Sequence, residues 1–459
     1  MTREEIKQSL YEKYIRPTEN KTERYIGVEI EMPVVNLSGQ ATDYAVAQAA
    51  EKKAIEHFGF RPVAFDDNGI CYSAVREDNG DNISFDCAYN NLEFSMGKEQ
   101  DINELDRRFK EYVSFINAEL EKDNHILTGM GINPNYRVNR QDFIPCGRYR
   151  MLERYLQKCS IWKVPMYFHP YHGYGAFASA SQVQLDVKKD ELLDVINAFS
   201  MVEPVKSVIF NNSVMEEEPD LLCVRDMFWE NSTHGINPHN IGTFDCRLDT
   251  VEDLLEYIST TSMFCTEKGD KYINFKPVLI TDYMQMDEYE GEYYENGEYK
   301  TIKFKPAPED LKYLRTYKFE DLTYRGTIEF RSVCNQPFKD AMTVAAFHVG
   351  LFENLKEFNL LMEDDHVLYH NGYSAGELRK LLNGAEIPAF VDVDGLRRLC
   401  SEVISLAWNG LEKRGLHEER YLAPLVDRAE NLTSPGKYMV EELKSGKTMN
   451  TLVREFAEI

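Results

Sequence analysis

The chain has 459 residues, 43% of them hydrophobic and 12% aromatic, so it can bury a sizeable core and is not a disordered polypeptide. Its formal net charge of −25 disfavours nucleic acid and anionic membrane surfaces as partners, because like charges repel. An anionic substrate would therefore need a pocket that is locally cationic or filled with metal ions. The nine cysteines include no C-x-x-C pair, which predicts reduced thiols in the cytoplasm rather than a disulfide framework or a structural zinc site.

In chain order, residues 1–17 are predicted to form an amphipathic helix, since they lack the apolar stretch of a signal peptide. No run of about 18 apolar residues occurs, so no membrane-spanning helix is predicted. From about Pro337 onward, apolar residues recur at three- and four-residue steps, which predicts a helical flank over residues 338–459. Short strand-like runs dominate before it. The chain is therefore predicted to be α+β, a single domain over residues 1–459.

Four strand-like runs, residues 25–32, 82–96, 181–186 and 327–331, alternate apolar with polar side chains. Because successive side chains of a strand point to opposite faces, each run has one apolar face and one polar face. The polar faces carry Glu29, Glu31, Asp86, Glu93, Gln182, Gln184, Glu329 and Arg331.

The run 82–96 needs an irregularity to fit this pattern. Ile83, Phe85 and Cys87 are predicted on one face with Asp86 on the other. Asp86 and Glu93 are an odd number of residues apart, so they face the same way only if the residues between them form a bulge or tight turn. We predict such a turn at residues 88–91.

An ordinary antiparallel sheet with a solvated face would also show alternation, but such faces favour threonine, lysine and mixed charges. Here five of the eight polar positions are acidic, two are glutamine and a single one, Arg331, is cationic. Two carboxylates about 4 Å apart repel by roughly 4 kcal/mol at an effective dielectric constant near 20, so a cluster of them must hold protons or cations. Oxygen ligands without Cys or His favour Mg²⁺ or Mn²⁺ over zinc. The pattern thus indicates a site for hard divalent cations.

Two other segments are candidates for a role at such a site. The acidic, tyrosine-rich stretch Asp282–Lys300 contains Asn296-Gly297, a favourable two-residue turn, and is predicted to be an exposed hairpin. An inert surface ribbon is the favoured interpretation of this hairpin, and a lid over a site is the alternative.

Phosphate groups have candidate partners in Lys276, on a predicted strand, and Arg150, in the helix-like stretch 147–156. Arg148 and Arg150 are two residues apart and cannot share a helix face, so only part of this stretch can reach a phosphate. The chain has no G-x-x-x-x-G-K-[ST] motif, which excludes a P-loop.

An ordered set of motifs resembles the glutamate–cysteine ligase family in its plant-type and actinobacterial branch. The matching segments are GVEIEM at Gly27–Met32, the Asp86–Glu93 pair ending in LEFS, GMGINP at Gly129–Pro134, GRYRMLERYL at Gly147–Leu156, ASQVQLD at Ala180–Asp186 and GTIEFRSVCNQP at Gly326–Pro337. The resemblance implies a curved antiparallel sheet of about six strands that forms a cupped site, as in glutamine synthetase, with flanking helices.

The resemblance also implies residue roles. Gln182 matches a further metal ligand, and Arg331 matches a catalytic arginine near the phosphate and the glutamate. Two or three Mg²⁺ ions, with Mn²⁺ as a substitute, are expected at the carboxylates that match the family's metal ligands, namely Glu29, Glu31, Asp86, Glu93 and Glu329. The implied reaction uses ATP to join L-glutamate to L-cysteine through γ-glutamyl phosphate, the first step of glutathione-type thiol biosynthesis.

One segment departs from the family pattern. Arg225 and Trp229 fit an R-x-x-x-W signature and, with Gln184, are expected to bind substrate, but residues 229–244 are longer than the family's segment and contain no arginine. The alternatives are therefore a ligase with another acceptor amine and a non-catalytic relative that binds an amino acid or nucleotide. In each case the expected partners are small molecules, and the chain is expected to be a monomer or homodimer.

Overall fold

The computed structural model describes residues 1–244 and 246–459. The strands are β1 (Ile26–Asn36), β2 (Arg61–Phe65), β3 (Cys71–Val75), β4 (Asn82–Phe85), β5 (Asn91–Glu99), β6 (His125–Leu127), β7 (Ser181–Asp186), β8 (Ile241–Gly242), β9 (Ser262–Lys268), β10 (Lys271–Leu279), β11 (Tyr289–Glu295), β12 (Glu298–Phe304), β13 (Tyr317–Lys318), β14 (Glu320–Leu322) and β15 (Thr327–Phe330).

The helices alternate with these strands in the first three-quarters of the chain and follow one another in the last quarter. They are α1 (Arg3–Leu10), α2 (Tyr44–Phe58), α3 (Ile102–Leu120), α4 (Gly147–Gln157), α5 (Leu192–Phe210), α6 (Val224–Glu230), α7 (Val251–Ser259), α8 (Ile280–Tyr283), α9 (Thr343–Glu353), α10 (Leu355–Glu363), α11 (Ala375–Leu382), α12 (Val393–Arg414), α13 (Ala423–Asn431), α14 (Pro435–Lys444) and α15 (Met449–Phe456). The helical C-terminal flank is thus confirmed. Among the described residues, no helix is long and apolar enough to cross a membrane.

The main sheet is antiparallel, as predicted. In the described part of the chain it has nine strands, where about six were expected, in the order β14-β15-β7-β1-β5-β4-β3-β2, and β6 pairs with the end of β1. A separate four-stranded sheet has the order β12-β11-β10-β9, and β8 pairs in parallel with β13. Helix α3 packs against β5 and β6, and α9 packs against β1 and β7.

In the central strand β1, the alternation of apolar and polar residues decides which face of the sheet packs against the helices. Ile26, Val28, Ile30 and Met32 are at most 2% exposed and face the helices. The residues between them are half-buried and face the other way. Burial of each large apolar side chain contributes about 2 kcal/mol, so a shift of one residue in register would be strongly unfavourable.

The predicted turn between Asp86 and Glu93 is confirmed. Strand β4 ends at Phe85, and the turn is closed by hydrogen bonds from Asp86 N to Asn91 O (3.0 Å) and from Asn91 N to Ala88 O (3.1 Å). Cys87 has a φ of 58°, in the left-handed region that non-glycine residues rarely adopt. The prediction that Cys87 continues the apolar face of the strand is wrong, because the strand has already ended.

The predicted hairpin is also confirmed, with shorter strands than the acidic stretch suggests. Asn296 and Gly297 have φ values of 52° and 87°, as a type I′ turn requires, and they connect β11 to β12. Residues 280–283 form α8 instead of continuing the hairpin. The hairpin is not an isolated ribbon, because β11 pairs with β10 and contacts α4.

Close packing of α9 on α12 depends on two glycines. A Cβ added to Gly350 would lie 2.2 Å from Ala407 O, and one added to Gly410 would lie 2.0 Å from Gly350 O. We therefore expect Gly350→Ala to force the helices apart and to lower the free energy of unfolding by about 2 kcal/mol or more. Urea unfolding measures this change. Ser405→Ala, on the exposed face of α12, is the matched control, and an equal loss in both variants would contradict the prediction.

Candidate active site

The polar face of the main sheet lines a cavity of about 590 Å³. Helices α4 and α6 also line the cavity, and so does Arg331, which directly follows β15. Among the residues that line this cavity are nine of the predicted site residues: Glu29, Glu31, Asp86, Glu93, Gln182, Arg225, Trp229, Glu329 and Arg331. Side chains far apart in the chain meet here because the strands that carry them are neighbours in the sheet.

Strand register places the acidic side chains directly beside one another. Glu31 of β1 is paired with Glu93 of β5, and Glu29 is paired with Gln182 of β7. Directly opposed residues of an antiparallel pair have Cβ atoms about 5 Å apart, and like charges in this position destabilise the sheet. The arrangement therefore requires protons or cations between the carboxylates.

Glu31, Asp86 and Glu93 form an acidic triad whose carboxylate oxygens lie within 4.8 Å of one another. Burial, together with the neighbouring carboxylates, raises the pKa of both Glu31 and Glu93 to about 8. Burial also raises the pKa of Asp86, although Arg148 opposes the shift. Glu31 accepts hydrogen bonds from Ala180 N (2.8 Å) and Gln182 Nε2 (3.1 Å), so its orientation is held by β7 and by the residue before it.

Glu29 and Glu329 form a second acidic group on the side of the cavity nearer to β15. Burial raises the pKa of Glu29 well above its ordinary value, and the charges of Glu329 and Glu93 add to the shift. Glu29 accepts a hydrogen bond from Gln184 Nε2 (2.9 Å), and Glu329 accepts one from an Nη of Arg331 (2.7 Å). Arg331 is thus the cation that partly balances this group.

The donor set fits a hard divalent cation. All three triad residues offer oxygen, and oxygen ligands at about 2.1 Å lie up to about 4.2 Å apart across an ion, so a small closure of the triad would complete a site. In addition, Gln182 Oε1 is buried and has no hydrogen-bond partner among the described residues. A buried acceptor without a donor costs about 1–3 kcal/mol, and a cation beside it would remove that cost.

Three of the predicted substrate-binding residues lie outside this cavity. Gln184 lines an adjoining cavity of about 600 Å³ that shares Glu29 and Arg325 with the first. Lys276 is exposed on β10. Arg150 points away from the carboxylates, forms an ion pair with Asp67 and lies 4.5 Å from the ring centroid of Tyr294.

Sequence reasoning missed several side chains that the structure does place in the cavity. Arg148 and Tyr149 are the residues of α4 that face the carboxylates, and Tyr149 OH donates to Asp86 (3.3 Å). The sequence does contain a signal for Arg148. Leu152 and Leu156 follow it at four-residue steps, so the three residues share one helix face, and the two leucines indicate that this face is turned inward. Arg325 directly precedes the segment Gly326–Pro337 but lies before β15, so strand alternation gives no signal for it.

An aromatic wall closes the cavity beside Arg331. The rings of Trp229 and Tyr317 stack at 4.5 Å, and His234 lies 4.3 Å from Tyr317 and 5.5 Å from Trp229. His234 belongs to the segment 229–244 that departs from the family pattern. Burial, aided by the charge of Arg331, lowers the pKa of His234 to about 3, so the imidazole is neutral. Its Nδ1 has no hydrogen-bond partner within the described chain.

Comparison with known proteins points to a single family. A family model described as glutamate–cysteine ligase family 2 matches residues 25–449. A chloroplastic glutamate–cysteine ligase A of Oryza sativa subsp. indica is 25% identical over 309 residues, which are 64% of this chain and 56% of the relative. The chloroplastic glutamate–cysteine ligase of Nicotiana tabacum is 23% identical over 349 residues, 72% and 60% of the two chains. The chain thus spans less than two thirds of the length of these curated relatives.

Two solved structures are more distant. A glutamate–cysteine ligase of Francisella tularensis, in complex with AMP, has a TM-score of 0.47 and 11% identity over 96% of this chain and 89% of its own. A bifunctional glutathione synthetase of Pasteurella multocida has a TM-score of 0.44 and 12% identity over 99% of this chain and 53% of its own.

The raised pKa values predict how stability depends on pH and cations. The folded protein retains protons on Glu31 and Glu93 up to about pH 8, whereas the unfolded chain releases them near pH 4.5. Without divalent cations, we therefore expect the free energy of unfolding to fall by at least about 1 kcal/mol between pH 5.5 and pH 8 through these groups. Mg²⁺ at millimolar concentration should restore it at pH 8.

Urea unfolding of the wild type and Glu93→Gln at both pH values, with and without Mg²⁺, measures this effect. Glu93→Gln should reduce both the pH dependence and the response to Mg²⁺. Glu111→Gln, on the exposed face of α3, is the control and should retain both. A Glu93→Gln variant that responds to Mg²⁺ as strongly as the wild type would show that the triad does not hold the cation.

Proposed function

The chain belongs to the glutamate–cysteine ligase family 2, and on that premise we propose that it is an ATP-dependent ligase that joins the side-chain carboxylate of L-glutamate to the amine of L-cysteine. The observation that carries the proposal is one cavity lined by five carboxylates and four arginines. A site that only binds an amino acid does not need so many oxygen donors. A site that transfers a phosphoryl group needs cations held at fixed points.

In the proposed reaction, a carboxylate oxygen of glutamate attacks the γ-phosphorus of ATP, the bond to the β–γ bridging oxygen breaks, and ADP leaves. The amine nitrogen of the second substrate then attacks the acyl carbon of γ-glutamyl phosphate, loses a proton, and expels inorganic phosphate. Mg²⁺ ions, with Mn²⁺ as a substitute, would neutralise the phosphates during the transfer. Glu31, Asp86, Glu93 and Gln182 would hold one such ion, and Glu29 with Glu329 a second.

The arginines of the cavity fit the anionic parts of the substrates. Arg331 is held by Glu329 at 2.7 Å, beside one of the two acidic groups, where it can stabilise charge on the transferring phosphoryl group. Arg225 is buried and donates to the carbonyls of Ser332 (3.3 Å) and Arg331 (3.4 Å), so its position is set by the chain that follows β15. Arg148 lies on the facing wall. We assign Arg148 and Arg225 to substrate carboxylates or phosphates.

The aromatic wall bears on which amino acid supplies the acceptor amine. His234 comes from the segment that departs from the family pattern, and its neutral imidazole lies beside Trp229 and Tyr317 with no hydrogen-bond partner for Nδ1 among the described residues. A buried polar group of this kind favours an acceptor side chain that can form a hydrogen bond with it. This observation does not separate cysteine from the second candidate, a ligase of the same mechanism with another small polar amino acid as acceptor. The choice of cysteine rests on the family match.

We also propose that residues 1–459 act as one catalytic unit, as a monomer or homodimer in the cytoplasm. The family match extends over residues 25–449, and one apolar core contains residues from Ile6 to Ala457. No disulfide joins the cysteines of the described residues, which suits a reducing compartment.

The assay that tests the function is ADP release from Mg·ATP with L-glutamate and a panel of amines that includes L-cysteine, L-serine and L-2-aminobutyrate, with product masses determined. We expect release to require both glutamate and cysteine and to give the mass of γ-glutamylcysteine. Turnover with a different amine alone would establish the second candidate. No turnover with any pair, from a folded protein that binds Mg·ATP, would indicate the non-catalytic relative.

Substitutions in the cavity should affect the reaction more than the fold. We expect Glu329→Gln and Arg148→Met each to lower kcat/KM by about 100-fold, because each removes charge that would stabilise the transferring phosphoryl group or its substrates. Steady-state kinetics checks this, and Arg107→Met, an exposed arginine of α3, is the matched control with unchanged kcat/KM. Equal activity of Arg148→Met and the control would remove Arg148 from the proposed machinery.

A further inference from the structure

Helix α4 has two functional faces. The face toward the cavity carries Arg148, Tyr149, Leu152 and Leu156. The opposite side carries three cations at four-residue steps, namely Arg150, Arg154 and Lys158, of which Lys158 directly follows the helix. Residues at this spacing lie one above another along a helix, so the three cations form a single stripe.

This stripe lies on the hairpin formed by β11 and β12. One carboxylate oxygen of Glu292 in β11 accepts a hydrogen bond from Arg154 Nε (3.0 Å), and the other accepts one from Lys158 Nζ (2.6 Å). The guanidinium of Arg154 lies 4.7 Å from the ring centroid of Tyr299 in β12. Glu292 therefore neutralises two cations of α4 at once. Without its charge, Arg154 and Lys158 would lose the anion that lies between them.

The N-terminal half of α4 is held by the same sheet. Tyr299 OH donates to Arg150 O (3.1 Å), and the Arg150 guanidinium covers the ring of Tyr294. Tyr272 of β10 packs so closely against Gly147 that a Cβ at Gly147 would lie 2.7 Å from Tyr272 Cδ2. The sheet thus contacts α4 along its whole length, on the side away from the carboxylates.

The hairpin in turn is firmly joined to the rest of its sheet. Gly291, next to Glu292, lies so close to β10 that a Cβ there would be 2.5 Å from Ile273 Cγ2 and 2.8 Å from Asn274 O. Asn274 Nδ2 donates to the carbonyl of Glu292 at 3.4 Å. Glu292 is therefore presented from a fixed backbone, and α4 is held by a rigid support.

We propose that Glu292 is a positioning residue of the site. Through Arg154 and Lys158 it fixes the C-terminal half of α4, and through the rigid helix it sets where Arg148 and Tyr149 stand relative to the acidic triad. The distance over which α4 must transmit this effect is short. Arg148 and Arg154 are about 9 Å apart along the axis, because an α-helix rises 1.5 Å per residue. The acidic hairpin is then neither an inert ribbon nor a lid, but the support of one cavity wall. This inference rests on the proposed function and deepens it.

The test compares Glu292→Gln with Glu290→Gln, which removes the same charge from an exposed position on the same strand and face. For Glu292→Gln we expect the KM of the substrate that Arg148 contacts to rise about tenfold, with kcat changed less than about twofold, because binding is misaligned while the chemical groups remain. Glu290→Gln should match the wild type. Equal KM values in all three proteins would overturn the proposal.

Hydrogen exchange separates positioning from loss of folding and from failure of the proposed reaction. Hydrogen exchange of the α4 amides should accelerate in Glu292→Gln but not in Glu290→Gln, while exchange in α3 stays the same in both. This readout needs no turnover, so it tests the inference even if the chain proves not to be a ligase. Unchanged exchange in α4, or faster exchange throughout the protein, would contradict a positioning role.

A double substitution completes the test. If Glu292 acts through the cations of α4, Arg154→Met should raise KM by itself, and adding Glu292→Gln to it should raise KM by less than the product of the two single effects. Multiplication of the two effects would show that the residues act independently and would overturn the proposed route through α4.

Discussion

The rest of the structure depends on the burial of several carboxylates side by side on one face of an antiparallel sheet. Glu31 and Glu93 are directly paired across β1 and β5, a register that repels by itself. A one-residue slip would relieve the repulsion but would bury the polar face and expose the apolar one. The apolar side chains of β1 hold the register against that slip, since each is almost fully buried. The core thus holds the carboxylates in a position that they would not otherwise keep.

What surrounds these carboxylates follows from the same constraint. Backbone and amide donors from β7 and the residue before it orient Glu31, and Arg331 balances Glu329. The raised pKa values of Glu31 and Glu93 show that the protein alone does not compensate their charges. A cation beside the triad would do so. A chain of net charge −25 could then bind a phosphate-bearing substrate, because the local charge of the cavity would differ from that of the surface.

The two larger sheets of the described residues have different roles in this arrangement. The main sheet carries the acidic groups, and the four-stranded sheet supports α4, which closes the cavity from the other side. Arg154 and Lys158 of the cationic stripe are neutralised on the hairpin, while Arg148 on the other face of α4 meets the carboxylates across the cavity. A helix between two charged surfaces can be positioned by ion pairs that lie outside the site.

Period-two alternation by itself determined which side chains of β1, β7 and β15 share a face, because parity in a strand is a property of the backbone alone. The turn after Asp86 could be inferred for the same reason: two acidic residues of unlike parity can meet only through an irregularity. Arg150 and Lys276 lie outside the cavity, and the sequence could not indicate this, since a helix face or strand face carries no sign of what packs against it. Only the tertiary structure decided that Arg148 faces the cavity while Arg150 faces the hairpin. It also brought Tyr317 and His234 to the cavity, because such contacts arise from packing between elements and not from periodicity within one.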